Sequence, residues 1–389
     1  MIINYTLLFT AALLCLPVIF LLLQVLAAIF LPKQSFKLQI HVEIPTLAIL
    51  IPAHNESVGI TKTIQSILPQ LRTADVLLVV ADNCIDDTAI IAKSLGATVI
   101  ERTNATLRGK SYALDFGFKY LSKQSPQVVI VIDADCVISE NFITTISQAC
   151  IQSQRPIQAL DLMLSPSQAS LKIKIAEFAW AVKNKVRPLG SKVLGLPCQL
   201  MGTGMAFLWI DIAQMNLDSG HIAEDMKLGI DFCRINKSPK FLPDVMVTSY
   251  FMQDEQASKT QRARWEHGHL SMIISEAPRL IVEALKLRNM QMIGLALDLI
   301  VPPLAVLVLL CIVLFLLSLI AHAKQAIMLT GFLLALLTLA VLLAWVFFGR
   351  SIISFKQLCY APIYAFKKIP IYIKFFINRQ VDWVRAKRD

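Results

Sequence analysis

An α/β domain on a mostly parallel, doubly wound sheet, tethered by one apolar helix before it and two after it, is the fold class this sequence predicts. Three observations predict it: β-branched runs alternating with helical stretches between residues 47 and 132, a charge-free segment from Tyr5 to Leu31, and two apolar runs late in the chain. With 56% hydrophobic and 16% charged residues, the 389-residue chain is too apolar for an ordinary soluble protein.

The first element, within residues 1–32, is long enough to cross a hydrocarbon core, which needs about 20 apolar residues. No Lys or Arg precedes it, as the basic leader of a cleaved signal peptide would require. Residues 45–255 then hold the α/β domain. Strands are expected at Leu47 to Ile51, Val76 to Val80, Ala97 to Ile100 and Val128 to Ile132, and helices at Val58 to Leu71, Asp87 to Leu95 and Lys110 to Leu121. Strand, helix, strand in that order builds a parallel sheet, whose ligands bind beyond the carboxyl ends of the strands. From Ala169 to Val186 an amphipathic stretch sets Leu171, Ile175, Phe178, Val182 and Val186 on one face, with Lys172, Lys174, Lys183 and Lys185 on the remainder. It suits a bilayer surface and the domain core equally.

Residues 256–291 read as interfacial helices and 292–348 as a transmembrane hairpin, Met292 to Ile320 and Ala326 to Phe348. Pro302-Pro303 should kink the first arm, because a proline ring clashes with the preceding turn and has no amide to donate. The tail, 349–389, carries Arg350, Lys356, Lys367, Lys368, Lys374, Arg379, Arg385, Lys387 and Arg388 against Asp382 and Asp389. Basic flanks stay on the cytoplasmic side, so three crossings make this a multi-pass cell-membrane protein with residues 33–290 in the cytoplasm. The net charge of +10 then reflects topology and attraction to anionic membrane lipids, with no call for a nucleic-acid partner. Eight scattered cysteines without a Cys-x-x-Cys pair read as reduced core residues.

Three expected strands end in polar clusters: Pro52-Ala53-His54-Asn55-Glu56, Asp82-Asn83-Cys84-Ile85-Asp86-Asp87, and Asp133-Ala134-Asp135. Carboxylates brought to one rim repel unless a cation compensates, and a hard divalent ion such as Mg²⁺ or Mn²⁺ is the natural one. Gly109-Lys110-Ser111 is no phosphate-binding P-loop, since Asn104 stands where the first glycine belongs.

Taken with Arg108-Gly109-Lys110, Glu224-Asp225 and Gln261-Arg262-Ala263-Arg264-Trp265, these clusters resemble the family-2 glycosyltransferases, and among them the cellulose, chitin and hyaluronan synthases. The resemblance runs from Leu47 to the tail and implies a GT-A fold, a nucleotide sugar donor and inversion at the anomeric carbon. It also implies roles: Glu56 and Asp82 on the nucleotide base and ribose, Lys110 near the nucleotide, Asp133 on ribose and metal, and Asp135 as principal metal ligand. Asp225, beside Glu224, matches the general base, although Ala223 replaces the threonine of the cellulose synthases' Thr-Glu-Asp. Gln261, Arg264 and Trp265 match the motif at the acceptor end, and Gly202-Thr203-Gly204 a small-residue loop beside it. His267 and His269 read as structural or as phosphate neighbours.

The expected activity is assembly of a β-linked polysaccharide from UDP-glucose or UDP-N-acetylglucosamine at the cytoplasmic membrane face. The alternative is transfer of a single sugar to a polyprenyl-phosphate or other lipid-linked acceptor. Gln261-x-x-Arg264-Trp265 favours the first. Three spans favour the second, since a polymerising enzyme would then need a homodimer or an export partner. A non-enzymatic scaffold would have no use for intact Asp133, Asp135 and Asp225.

Overall fold

The computed structural model describes residues 2–31, 35–36, 45–217, 222–252 and 255–377, with side chains 255–259 left aside. The basic residues from Arg379 to Arg388, with Asp382 and Asp389, lie outside the described residues. The chain forms two compact units. One runs through Leu164 from the first strand and resumes from Pro197 to Arg264; the other gathers the N-terminal helix, Ser165–Leu196 and the chain from Trp265 onward.

The first unit is built on eight strands, β1 Leu47–Ala53, β2 Val76–Asp82, β3 Thr98–Arg102, β4 Val128–Val131, β5 Val137–Ile138, β6 Ile157–Leu164, β7 Met205–Leu208 and β8 Lys240–Tyr250, in the order β3-β2-β1-β4-β7-β6-β8-β5. β1, β2, β3 and β4 pair in parallel as expected. Beyond β4 the sheet is mixed, which corrects the mostly parallel expectation: β7 runs antiparallel to β4 and β6, and β5 antiparallel to β8, while β6 and β8 are parallel.

β1 is buried along its whole length because both faces are covered, which is why it reads as an unbroken apolar run. The period of two divides it. Leu47, Ile49 and Ile51 pack with Ile60, Ile64 and Ile67 of the Ile60–Ile67 helix and with Phe142 and Ile146, whereas Ala48 and Leu50 pack with Ala113, Leu114, Phe118, Leu228 and Phe232. The helix Lys110–Leu121 begins and ends as expected; the stretch expected to run to Leu71 instead breaks into a 3₁₀ turn at Leu68–Gln70, where Pro69 follows.

In the second unit, two helices among the described residues are long and apolar enough to cross a membrane, Ile2–Phe30 and Lys324–Gly349. The expected third span is a bent pair, Met290–Leu299 and Leu304–Ile320, set 72° apart across the Pro302-Pro303 break. Ser165–Leu196, expected within the 45–255 domain, groups here instead. Its helix Leu171–Ala181 turns into a π-helical segment Val182–Val186 and then Arg187–Val193, and Ile175, Phe178, Val182 and Val186 are buried. The apolar face thus packs inside its unit. Buried Gln24 of the first helix donates its Nε2 to Ser191 Oγ (2.9 Å) and Asp298 Oδ1 (2.7 Å), and Arg187 donates to the same Asp298 oxygen at 2.9 Å. A charge inside an apolar helix is tolerated when paired and hydrogen-bonded in this way.

Two helices also meet backbone to backbone. A Cβ on Gly190 would stand 2.0 Å from the Gln24 carbonyl oxygen. Gly190→Ala should therefore destabilise the protein by at least the roughly 1–3 kcal/mol typical of overpacking. Thermal unfolding in detergent checks this, with Gly229→Ala as the comparison, because a Cβ there would meet its nearest neighbours at an ordinary 3.5 Å.

Candidate active site

The loops after β1 and β2 are tied by asparagines in left-handed backbone, Asn55 at φ 54° and Asn83 at φ 52°. Asn55 Oδ1 accepts from Ile85 N (2.7 Å), and Asn83 Oδ1 accepts from Asn104 N (2.8 Å). Asp86 closes the seam, accepting from Ser57 N and from Thr88 N and Oγ1. Burial alone would raise its pKa, but these bonds hold the carboxyl below the usual range. Glu56 sits in this seam: its amide donates to Thr88 Oγ1 (2.8 Å) and its carbonyl accepts from Gly59 and Ile60. The Ile60–Ile67 helix has no side-chain cap.

Asp82, at the end of β2, is buried. Its Oδ1 accepts from Arg102 at 2.6 Å and from Asn83 Nδ2 at 3.0 Å. Arg102 also donates to the Leu107 carbonyl and lies over the Tyr112 ring.

Two residues past β4, Asp133 is held twice: its amide donates to Thr203 Oγ1 (3.0 Å) and its carboxylate accepts from Lys110 Nζ. Lys110 opens its helix directly after Gly109, whose φ of 132° L side chains rarely adopt, and its ammonium also donates to the Gly202 carbonyl at 2.8 Å. Gly202, at φ 92°, keeps the next gap open. A Cβ there would lie 3.4 Å from both Lys110 Nζ and Asp225 Oδ2. The Gly202–Gly204 loop is braced from below by buried Gln158, which donates to the Thr203 carbonyl and accepts from Met201 N.

Glu224 and Asp225 form the first turn of the helix Glu224–Arg234, where its dipole favours negative charge. Burial raises the Glu224 pKa to about 7 and the Asp225 charge adds to this, against Lys110 and Arg264. Burial works against the Lys110 charge, but Asp133, Glu224 and Asp225 together hold its pKa above the ordinary value. One lysine thus serves three acids. Asp135 stands half-buried beyond this knot, against the Gly59 turn, where a Cβ would lie 3.3 Å from Asp135 Cα.

Residues 128–348, more than half of the chain, match the family described as glycosyl transferase family group 2, and residues 48–152 match glycosyl transferase family 2. The chain belongs to glycosyl transferase family group 2. Among curated proteins it is similar to the probable glycosyltransferase YdaM of Bacillus subtilis, 25% identical over 250 residues; the match covers 60% of this chain and 57% of that protein's length. Among solved structures it is similar to the mannosyltransferase PcManGT of Pyrobaculum calidifontis, in complex with GDP-Man and Mn²⁺, at a TM-score of 0.59 and 12% identity, over 97% of this chain and 100% of that one. That likeness is one of fold, a GT-A-like sheet.

In this chain the expected residues fall into three groups. Lys110, Asp133, Gly202, Glu224 and Asp225 come together, with Arg264 near enough to act on Glu224. Glu56 and Asp82 lie on the neighbouring rim. Gln261, Arg264 and Trp265 share the helix Glu255–Ser275, in which Gln261 is buried and Trp265 belongs to the second unit, its ring 5.0 Å from that of Trp180. His267 and His269 are structural, bonded through Nε2 to the carbonyls of Ile371 and Leu299; burial, with Lys183 and Arg187 nearby, lowers the His269 pKa to about 3. None of the eight cysteines forms a disulfide.

Arg102 and Gln158 escaped the sequence, which marks Thr203 only as part of a small-residue loop and not as the partner of the Asp133 amide. Arg102 carried one signal, a lone cation at the end of an apolar strand. Gln158 sits buried in β6, a strand not expected from the sequence.

The raised Glu224 pKa has a consequence for stability. Between the ordinary carboxyl value of 4.5 and about 7 the folded state binds the proton that the unfolded chain releases. Stability from this group is therefore complete below 4.5 and is lost as pH rises through 7. The melting temperature of metal-free protein should fall across that window, and Glu224→Gln should flatten the slope.

Proposed function

We propose that this chain transfers a hexose, with inversion, from a uridine diphosphate sugar to an acceptor hydroxyl at the cytoplasmic membrane face, extending a β-linked glycan. The observation that carries this is the knot of Lys110, Asp133, the Gly202 carbonyl and Asp225, which joins a cation, a donor-facing carboxylate and a base around an open glycine. Asp225 takes the acceptor proton as the oxygen bonds to the anomeric carbon. The bond from that carbon to the diphosphate oxygen breaks on the opposite face, and its electron pair leaves with the nucleotide. Lys110 and Arg264 offset the diphosphate charge.

Asp133 and Asp135 suit a divalent ion of the Mg²⁺ or Mn²⁺ type. Such ions take one or two carboxylates and complete their shell with phosphate oxygens and water, and no larger set of His, Cys, Asp or Glu ligands gathers among the described residues. When bound, the ion would act as a Lewis acid on the leaving diphosphate. The Mn²⁺ in the mannosyltransferase of like fold supports this assignment.

Asp82 favours uridine. Its Oδ1 already accepts from Arg102 and Asn83, so Oδ2 is left for the base. One acceptor suits the single N3–H of uracil, whereas the N1–H and N2–H fork of guanine asks for both oxygens.

A second reading, one sugar added to a lipid-linked acceptor, is favoured by the two long apolar helices and a third that is sharply bent. Membranes carrying the enzyme, incubated with labelled UDP-glucose or UDP-N-acetylglucosamine, should yield a high-mass β-linked product. A lipid-extractable adduct of one sugar would establish the second reading, and no incorporation would overturn both.

A further inference from the structure

The helix that carries the acceptor motif is clamped just past Trp265. Glu266 pairs with Lys368, both side chains nearly buried. His267, 1% exposed, donates from Nε2 to the Ile371 carbonyl at 2.9 Å, and its ring meets Phe375 edge-on at 5.4 Å. Tyr372, whose hydroxyl burial and Glu266 push well above the ordinary value, completes the contact. On its other side Trp265 packs on Trp180, over which Lys183 lies at 5.2 Å. Trp265 thus packs on one helix of Ser165–Leu196, and the two residues that follow it bind Lys368 and the tail helix Ile369–Ile377.

The tail helix has a second face. Phe375 is buried and Lys368, just ahead of the helix, is nearly so, while Ile373, Phe376 and Ile377 are exposed, the last two at 80%. The preceding helix Ala361–Phe366 packs on Leu304–Ile320, half of the bent apolar pair, and exposes Ile363 and Phe366. Lys367 and Lys374 flank these apolar residues, and the sequence beyond adds Arg379, Arg385, Lys387 and Arg388. An apolar strip bordered by cations beside membrane-length helices matches an anionic lipid surface, in which apolar side chains enter the acyl boundary and cations meet headgroups.

We infer that the tail helix is a lipid-seated latch, in which Glu266, His267 and Lys368 act as positioning residues that hold Trp265 for the acceptor only while the helix lies on an anionic membrane surface. The inference rests on the sugar-transfer reading of the site. Lipid removes the alternative positions of the helix, and the clamp passes that order to Trp265.

The test uses full-length enzyme in phosphatidylcholine vesicles, with and without phosphatidylglycerol, supplied with acceptor as a lipid extract of native membranes. The labelled UDP-sugar that native membranes incorporate serves as donor, and label transferred is compared with free nucleotide released. Lys368→Glu should lower the ratio of transfer to release about tenfold with donor KM unchanged, and the charge-swapped pair Glu266→Lys with Lys368→Glu should restore it to within about threefold. Omitting phosphatidylglycerol should lower the wild-type ratio severalfold. Ile373→Ser with Ile377→Ser, on the exposed side of the helix, should lower the ratio in both vesicles and abolish that lipid response. A ratio unmoved by Lys368→Glu, no rescue by the swap in protein that melts normally, or a wild-type ratio indifferent to lipid charge overturns the latch. A wild type that neither transfers nor releases nucleotide from the donor overturns the sugar-transfer reading instead.

Discussion

Asp225→Asn is expected to lower turnover by about 10² or more, in the range that removal of a general base produces, while metal and nucleotide still bind. The substitution is mild for the fold. Asp225 Oδ1 accepts from the Met226 amide at 2.8 Å, a bond that an asparagine oxygen keeps. The acid beside it is a poor substitute: burial and then the Asp225 charge raise the Glu224 pKa to about 7, so near neutrality it is only about half ionised. Steady-state kinetics with the labelled donor, beside calorimetric titration of UDP, separates chemistry from binding. Near-normal turnover would remove Asp225 as the base.

Asp135→Ala should weaken UDP binding in the presence of Mn²⁺ more than about 10²-fold, beyond the 10- to 100-fold seen when an outer-shell partner of a metal ligand is lost. Asp133 alone makes a weaker site, since Lys110 shares its carboxylate and the Thr203 hydroxyl fixes its amide. Binding without Mn²⁺ should change little. Titrations that superimpose with the wild type would refute the metal assignment.

Legibility in the sequence followed distance along the chain. The strands that carry Glu56, Asp82 and Asp133, and the helix that opens at Lys110, could be read because each is a local apolar pattern ending in a polar cluster. β7 could not: Met205–Leu208 is four apolar residues, too short to tell strand from helix, so its antiparallel insertion beside β4 and the mixed half of the sheet stayed hidden. The partners that set the site also lie far off. Arg102 is 20 residues from Asp82, Thr203 70 from Asp133, and Gln158 45 from Thr203. No periodicity encodes such pairs. The Ser165–Leu196 segment showed its amphipathic face, but that face fits any apolar surface, and only packing assigned it to the unit of the apolar helices.

The triad of Gln24, Arg187 and Asp298 also sets a schedule for biosynthesis. Arg187 precedes Asp298 by 111 residues, which at about 5–20 residues per second is roughly 5–20 s of translation. Throughout that interval the guanidinium has no carboxylate to neutralise it, and the amide of Gln24 has waited longer still. The first helix can therefore form early, but its Gln24 can be fully bonded only when the Met290–Leu299 helix emerges. Truncated chains ending before Asp298 should be degraded rapidly by the cell's quality control, whereas those ending just after it should accumulate.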